Sequence, residues 1–123
     1  MRALRILVAE DDAMIGLLLA DVLDGMGHAC TISATEEETV EAAHRYHPDL
    51  MIIDAQLGEG SGIDAVREIT RDGAVPHLFV SGNAPRVLML QPGALVLQKP
   101  FREADLAQAM NRALRTPARG WRN

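Results

Sequence analysis

The sequence has one cysteine, Cys30, and of its twelve basic residues all but one are arginine, the exception being Lys99. A single cysteine excludes a disulfide framework and a cysteine metal cluster, and Cys30 is expected as a small buried apolar residue. Aromatic residues make up only 3% of the 123, so the core has to come from Leu, Ile, Val, Ala and Met. Net positive charge is also lacking. The formal charge is −5, and a chain without a basic surface has little with which to displace counterions from nucleic acid. No apolar run approaches the roughly 18 residues of a membrane span. The N-terminal "MRALRILVAEDD" is too short in apolar residues for a signal peptide and runs straight into acids. The expectation is a cytoplasmic protein of one domain, with neither nucleic acid nor membrane as partner.

Short apolar runs alternate with helical patterns. "LRILVA" (Leu4 to Ala9), "LMIID" (Leu50 to Asp54), "HLFVS" (His77 to Ser81) and "LVLQ" (Leu95 to Gln98) read as buried parallel strands, and "ACTIS" (Ala29 to Ser33) as a weaker fifth. Between them, Ile15, Leu18, Leu19, Val22 and Leu23 recur at helix spacing. "TEEETVEAAHRYHP" opens with Thr35 and Glu38 in a capping-box relation, its three glutamates favoured by the helix dipole. Ser61 and Asp64 open a third helix in the same way. "GNAPRVLMLQPG" (Gly82 to Gly93) has room for one or two helical turns at most, and "READLAQAMNRALR" (Arg102 to Arg115) is a final amphipathic helix. Such alternation predicts βαβ units, hence a parallel sheet covered on both faces. The domain is expected over residues 1–116, with 117–123 as a tail that includes Trp121.

In open parallel sheets ligands bind beyond the carboxyl ends of the strands. The predicted strand ends carry Glu10, Asp11 and Asp12, then Asp54, then Ser81, then Lys99. Clustered carboxylates repel one another unless a cation sits among them, and oxygen-only ligands suit Mg²⁺ or Mn²⁺. A metal, an ammonium and a hydroxyl are what a phosphoryl group needs around its equatorial oxygens. A carboxylate can serve as the nucleophile. Asp54, closing an apolar strand, is the expected acceptor. Asp11 and Asp12 are the expected metal ligands. His28, His44, His47 and His77 share no metal spacing and read as surface or edge residues.

"ILVAEDD", "PDLMIIDAQL", the following "SG", "LFVSG" and "LQKPF", in this order and spacing, resemble the receiver domain of bacterial two-component response regulators from about Arg5 to Arg115. The resemblance implies a flavodoxin-like (βα)5 sandwich, with a five-stranded parallel sheet of order 2-1-3-4-5 and here a shortened fourth helix. It implies that Asp54 accepts a phosphoryl group from the phosphohistidine of a sensor histidine kinase or a histidine phosphotransfer protein. Asp11, Asp12 and Asp54, with Glu10 nearby and the backbone carbonyl of Gln56, would hold Mg²⁺ or Mn²⁺. Ser81 would hydrogen-bond the phosphoryl oxygens and Lys99 would pair with them. The Lys99–Pro100 bond is often cis in such proteins. A compact ammonium fits a site crowded by a metal and carboxylates better than a flat, forked guanidinium does.

The sequence departs from that pattern in places. Val96 stands where receivers usually carry an aromatic residue, Gly58 where many have proline, and Gln56 and Asn83 at variable positions. The expected output is altered affinity for a downstream protein, with no output segment in this chain and no turnover beyond the domain's own phosphorylation and dephosphorylation. Two other readings are a receiver-like interaction module independent of phosphorylation, and a phosphatase of haloacid-dehalogenase type. The latter would place its acids as D-x-D, whereas here they are contiguous.

Overall fold

The computed structural model describes residues 2–115, so Trp121 and the tail lie outside the described residues. In chain order the elements are β1 (Arg5–Ala9), α1 (Ala13–Gly25), β2 (Ala29–Ser33), α2 (Glu36–Tyr46), β3 (Leu50–Asp54), β4 (Gln56–Leu57), β5 (Gly60–Ser61), α3 (Gly62–Ile69), a 3₁₀ turn (Thr70–Asp72), β6 (His77–Ser81), α4 (Ala84–Leu90), β7 (Val96–Gln98) and α5 (Glu103–Ala113). The five long strands make one parallel sheet in the order β2-β1-β3-β6-β7. Counting only those strands, this is the expected 2-1-3-4-5. Among the described residues no helix is long and apolar enough to cross a membrane.

Strand alternation divides the apolar side chains into two cores. Ile6, Val8, Leu50, Ile52, Leu78, Val80 and Leu97 face α1 and α5, where Leu23, Leu106 and Met110 close over them. Leu7, Ala9, Met51, Ile53 and Phe79 face the other way, toward Ala43 of α2, Val66 and Ile69 of α3, and Val87 of α4. Each fully buried Leu or Ile contributes roughly 1.5–3 kcal/mol over an exposed one. Both faces of the central strands are therefore committed, which fixes the register and brings the carboxyl ends of β1, β3, β6 and β7 to one rim.

The caps follow the sequence with one shift. Thr35 Oγ1 accepts the Glu38 N–H at 3.1 Å, but the Glu38 carboxylate reaches back to Ala34 N rather than to Thr35. Ser61 Oγ accepts the Asp64 N–H at 3.1 Å. The fourth helix is short, starting just after Asn83, whose Oδ1 accepts from Arg86 N, and ending two residues before Pro92. One element went unforeseen: Gln56 pairs with Ser61 and Leu57 with Gly60, a two-rung antiparallel hairpin beside the β3 end.

Two side chains sit deeper or shallower than expected. His28, expected at the surface or an edge, is buried, because its Nδ1 accepts the Leu4 N–H at 3.0 Å and anchors the start of β1. Cys30 is only half-buried, on an outer strand covered by α1 on one side. His77 is partly buried, its ring edge-on to Phe79 and its Nδ1 2.8 Å from the Val75 carbonyl, so Nδ1 carries the proton. Burial lowers its pKa below the ordinary 6.5, with the Val75 contact partly opposing. Because the unfolded chain takes the proton more readily, His77 stabilises the fold above the unfolded value, and this is lost as pH falls from about 6.5 through the folded value. Denaturant unfolding at about pH 7.5 and pH 5 should therefore show wild type losing more stability on acidification than His77→Gln.

Candidate functional site

The site begins where β1 runs out. Glu10 continues the alternation of Ile6 and Val8 and so turns toward the α1 and α5 face. Its side chain is 6% exposed. Glu10 Oε2 accepts the Asp12 N–H at 3.2 Å. Asp54 ends β3, its side chain 12% exposed, and its Oδ1 accepts the Gln56 N–H at 3.0 Å. Lys99 directly follows β7, precedes a cis bond to Pro100 and reaches in from the far side. Its Nζ lies 2.7 Å from Asp54 Oδ2 and 3.4 Å from Glu10 Oε1.

Burial pushes the Glu10 carboxyl pKa up, and the charge of Asp54 and the contact with Asp11 push it further, against the Asp12 N–H and Lys99. For Lys99, burial alone favours deprotonation. The hydrogen bond and charge of Asp54, joined by Glu10, outweigh it, and its pKa stands above the ordinary value. The Glu10 shift comes first from burial, whereas the Lys99 ammonium holds its proton because carboxylates surround it.

Glu10, Asp11 and Asp54 each offer a carboxylate oxygen within 4.8 Å of the others, a spacing suited to a hard cation. Asp11 is oriented from outside the sheet, its Oδ2 accepting the Gly58 N–H at 3.0 Å. Gly58 has φ +60°, in the left-handed region that glycine adopts without strain, and it supplies an N–H that proline lacks. The unforeseen hairpin thus carries the donor that aims Asp11 at the cluster.

Asp12, expected as a metal ligand, stands outside the group of carboxylates whose oxygens lie within 4.8 Å of one another. Its Oδ1 accepts from Met14 N and Ile15 N at 3.0 and 3.2 Å, so it is the N-cap of α1. A carboxylate there satisfies two orphan amides and complements the helix dipole, which holds it out of the cluster. Glu10, expected only nearby, belongs to that group. Gln56 lies on β4, with its N–H committed to Asp54. Ser81 ends β6 on the same rim, its Oγ accepting the Asn83 N–H at 2.9 Å. Val96 is half-buried against the core under α2, α3 and α4.

Beside the acidic cluster, Ile15, Leu18, Leu19, Val22, Ile52, Val80 and Phe101 line a small cavity of about 180 Å³. The outer face of α1 is apolar and open, with Met14 67%, Leu17 60% and Leu18 59% exposed.

Fold and rim together define an open flavodoxin-like α/β domain with an acidic, lysine-bearing site at the switch point between β1 and β3. The sequence matches the response regulator receiver domain family over residues 6–111, and the chain belongs to that family. It is similar to the phyllosphere-induced regulator PhyR of Methylorubrum extorquens, at 32% identity over 117 residues, covering 91% of this chain and 44% of that protein. The chain spans about half the length of the curated relatives it matches. Among solved structures it resembles the receiver domain of the PhyR response regulator from Erythrobacter litoralis, with a TM-score of 0.85 at 29% identity, covering 98% of this chain and 96% of that one. It also resembles the receiver domain of a Pseudomonas aeruginosa sensor histidine kinase, with a TM-score of 0.81 at 28% identity, covering 94% and 100%. That structure has a magnesium ion coordinated in its active-site cleft.

Proposed function

We propose that this receiver domain accepts a phosphoryl group on Asp54 in a divalent-cation-dependent reaction and thereby alters its affinity for a partner protein. The observation that carries the reading is the 2.7 Å contact of Lys99 Nζ with Asp54 Oδ2 inside an all-oxygen acidic cluster. A carboxylate oxygen of Asp54 attacks phosphorus, the bond from phosphorus to the donor breaks, and the donor leaves with the electron pair. Lys99 is released from the ion pair to face the incoming phosphoryl oxygens. Ser81, on the neighbouring strand end, supplies a hydroxyl to the same oxygens.

Glu10, Asp11 and Asp54 fit Mg²⁺ or Mn²⁺ by donor type and by oxygens within 4.8 Å of one another, and the Gln56 carbonyl is proposed to complete the set. Bound there, the ion supplies the positive charge that lets a carboxylate approach a phosphoryl donor. The magnesium-bearing Pseudomonas receiver supports this assignment. The donor is proposed to be a phosphohistidine of a kinase or phosphotransfer protein in the cytoplasm.

Incubation with acetyl phosphate and Mg²⁺ should add one phosphoryl group to the intact mass of wild type and none to Asp54→Ala. A wild type unmodified by any phosphodonor with Mg²⁺ overturns the reading and leaves an interaction module that works without phosphate. The metal set has its own test. Asp11→Asn should weaken Mg²⁺ binding at least about tenfold, whereas Asp12→Asn should leave it within about twofold, since asparagine caps a helix as well as aspartate. Equal losses in the two variants restore the Asp11 and Asp12 pairing.

The exposed face of α1 borders the site and is proposed as the docking surface for the phosphodonor protein. Leu17→Asp should slow phosphotransfer from a cognate phosphohistidine protein by about tenfold while leaving modification by acetyl phosphate at the wild-type rate. Equal slowing with both donors removes α1 from the docking surface.

A further inference from the structure

Gln98, the residue before Lys99, spans two segments of the rim with one side chain. Its Oε1 accepts the Ala84 N–H at 2.9 Å. Its Nε2 donates to the Gly82 carbonyl at 2.7 Å and to the Lys99 carbonyl at 3.0 Å. A primary amide has two N–H donors, and both are in use. Gly82 follows Ser81, so the amide bridges the backbone just beyond the hydroxyl to the backbone of the lysine. It also holds the first residue of α4. The backbone adds a parallel tie, with Lys99 N donating to Ser81 O at 2.8 Å.

Apart from that backbone bond, the Gln98 amide supplies the side-chain bonds that tie the loop between β6 and α4 to the end of β7. The Ser81 hydroxyl points into its own loop, accepting from Asn83 N, and the Asn83 side chain caps α4. Both bonds are local and would travel with the loop if it moved. Two of the three Gln98 bonds, to Ala84 N and to the Gly82 carbonyl, cross from one strand end to the next, and the third returns to the adjoining Lys99 carbonyl. The Lys99 N to Ser81 O bond sets the spacing of the two backbones, and the crossing Gln98 bonds hold the segment just past Ser81 against it, hence the direction from which the hydroxyl meets a phosphoryl group shared with Lys99.

We propose that Gln98 is a positioning residue for phosphoryl transfer, locking the Ser81 loop to the Lys99 backbone so that hydroxyl and ammonium converge on Asp54. The inference rests on the phosphoacceptor reading above and deepens it. Transition-state stabilisation depends on donors held where charge develops, so a loop released by a few tenths of an ångström costs rate rather than metal affinity. The cation set of Glu10, Asp11 and Asp54 makes no contact with Gln98.

Because Gln98 is exposed, its replacement leaves both cores intact. Two variants separate positioning from simple packing. Gln98→Leu keeps the bulk and loses all three bonds. Gln98→Glu keeps an acceptor for Ala84 N but loses the donors to both carbonyls. With acetyl phosphate, both should show a maximal phosphorylation rate about tenfold below wild type, with the half-saturating Mg²⁺ concentration unchanged within about twofold. Amide exchange at Ala84 should accelerate about tenfold in Gln98→Leu and stay near wild type in Gln98→Glu. A wild-type rate in either variant, or a loss that follows Mg²⁺ affinity, overturns the proposal while the phosphoacceptor reading stands. A wild type that takes up no phosphoryl group removes both together.

Discussion

Lys99→Arg should take up a phosphoryl group from acetyl phosphate about a hundredfold more slowly than wild type, although the charge is conserved. The ammonium is a single point of positive charge, 2.7 Å from one carboxylate and 3.4 Å from another. It can let go of Asp54 and turn toward a phosphoryl oxygen without leaving the pocket. A guanidinium is a rigid fork that binds carboxylates two bonds at a time. Between Glu10 and Asp54 it would hold both, pinning the acceptor and filling the space the phosphoryl group must enter. Rates at saturating Mg²⁺, followed by intact mass, provide the check. A rate within about threefold of wild type would mean that the site asks only for a cation, and the solitary lysine in an arginine-using chain would carry no chemical meaning.

Gly62→Ala should destabilise the fold by about 3 kcal/mol, the upper range for forced overpacking. A β-carbon at this position would lie 1.9 Å from the Asp54 carbonyl oxygen and 2.7 Å from Ile53 Cγ2. The first of these is backbone and can yield only if β3 or α3 moves. Gly62 begins α3 and donates its N–H to the Ala55 carbonyl at 2.9 Å, so the helix start is pressed against the strand that carries the acceptor. Displacement there also shifts Asp54, so phosphorylation should fall even in the folded fraction. Gly25→Ala is the control. Its β-carbon meets nothing within 4 Å, and the variant should be neutral or slightly more stable. Denaturant unfolding of both variants distinguishes a steric cause from a general intolerance of glycine replacement. Similar midpoints for the two would refute the close approach.

The parts of this protein that were legible in the sequence are those fixed by periodicity. Apolar runs at Leu4 to Ala9, Leu50 to Asp54, His77 to Ser81 and Leu95 to Gln98 read as buried strands, and the ends of the last three placed Asp54, Ser81 and Lys99 on one rim. The structure differs where a choice is settled by atoms outside the run itself. In "EDD" the three acids are chemically alike. Which of them enters the pocket depends on the parity of β1 and on the start of α1. Both signals were present: Glu10 shares the face of Val8, and Asp12 immediately precedes a helical run, the ordinary place for an N-cap. The β4 and β5 hairpin had no such signal, being two rungs in a glycine-rich loop. With it the role of the Gly58 N–H stayed hidden. His28 gave no hint of burial, because its partner is a backbone amide 24 residues away.

The most direct measurement is to map the site of modification. Wild-type protein treated with acetyl phosphate and Mg²⁺ is reduced with borohydride, which converts an acyl phosphate into an alcohol, and is then digested and sequenced by mass spectrometry. Reduction at Asp54 alone, absent when EDTA replaces Mg²⁺ and absent from Asp54→Ala, is the expected result. Label on Asp11, Asp12 or Glu10 in place of Asp54, or equal labelling with and without the metal, contradicts it.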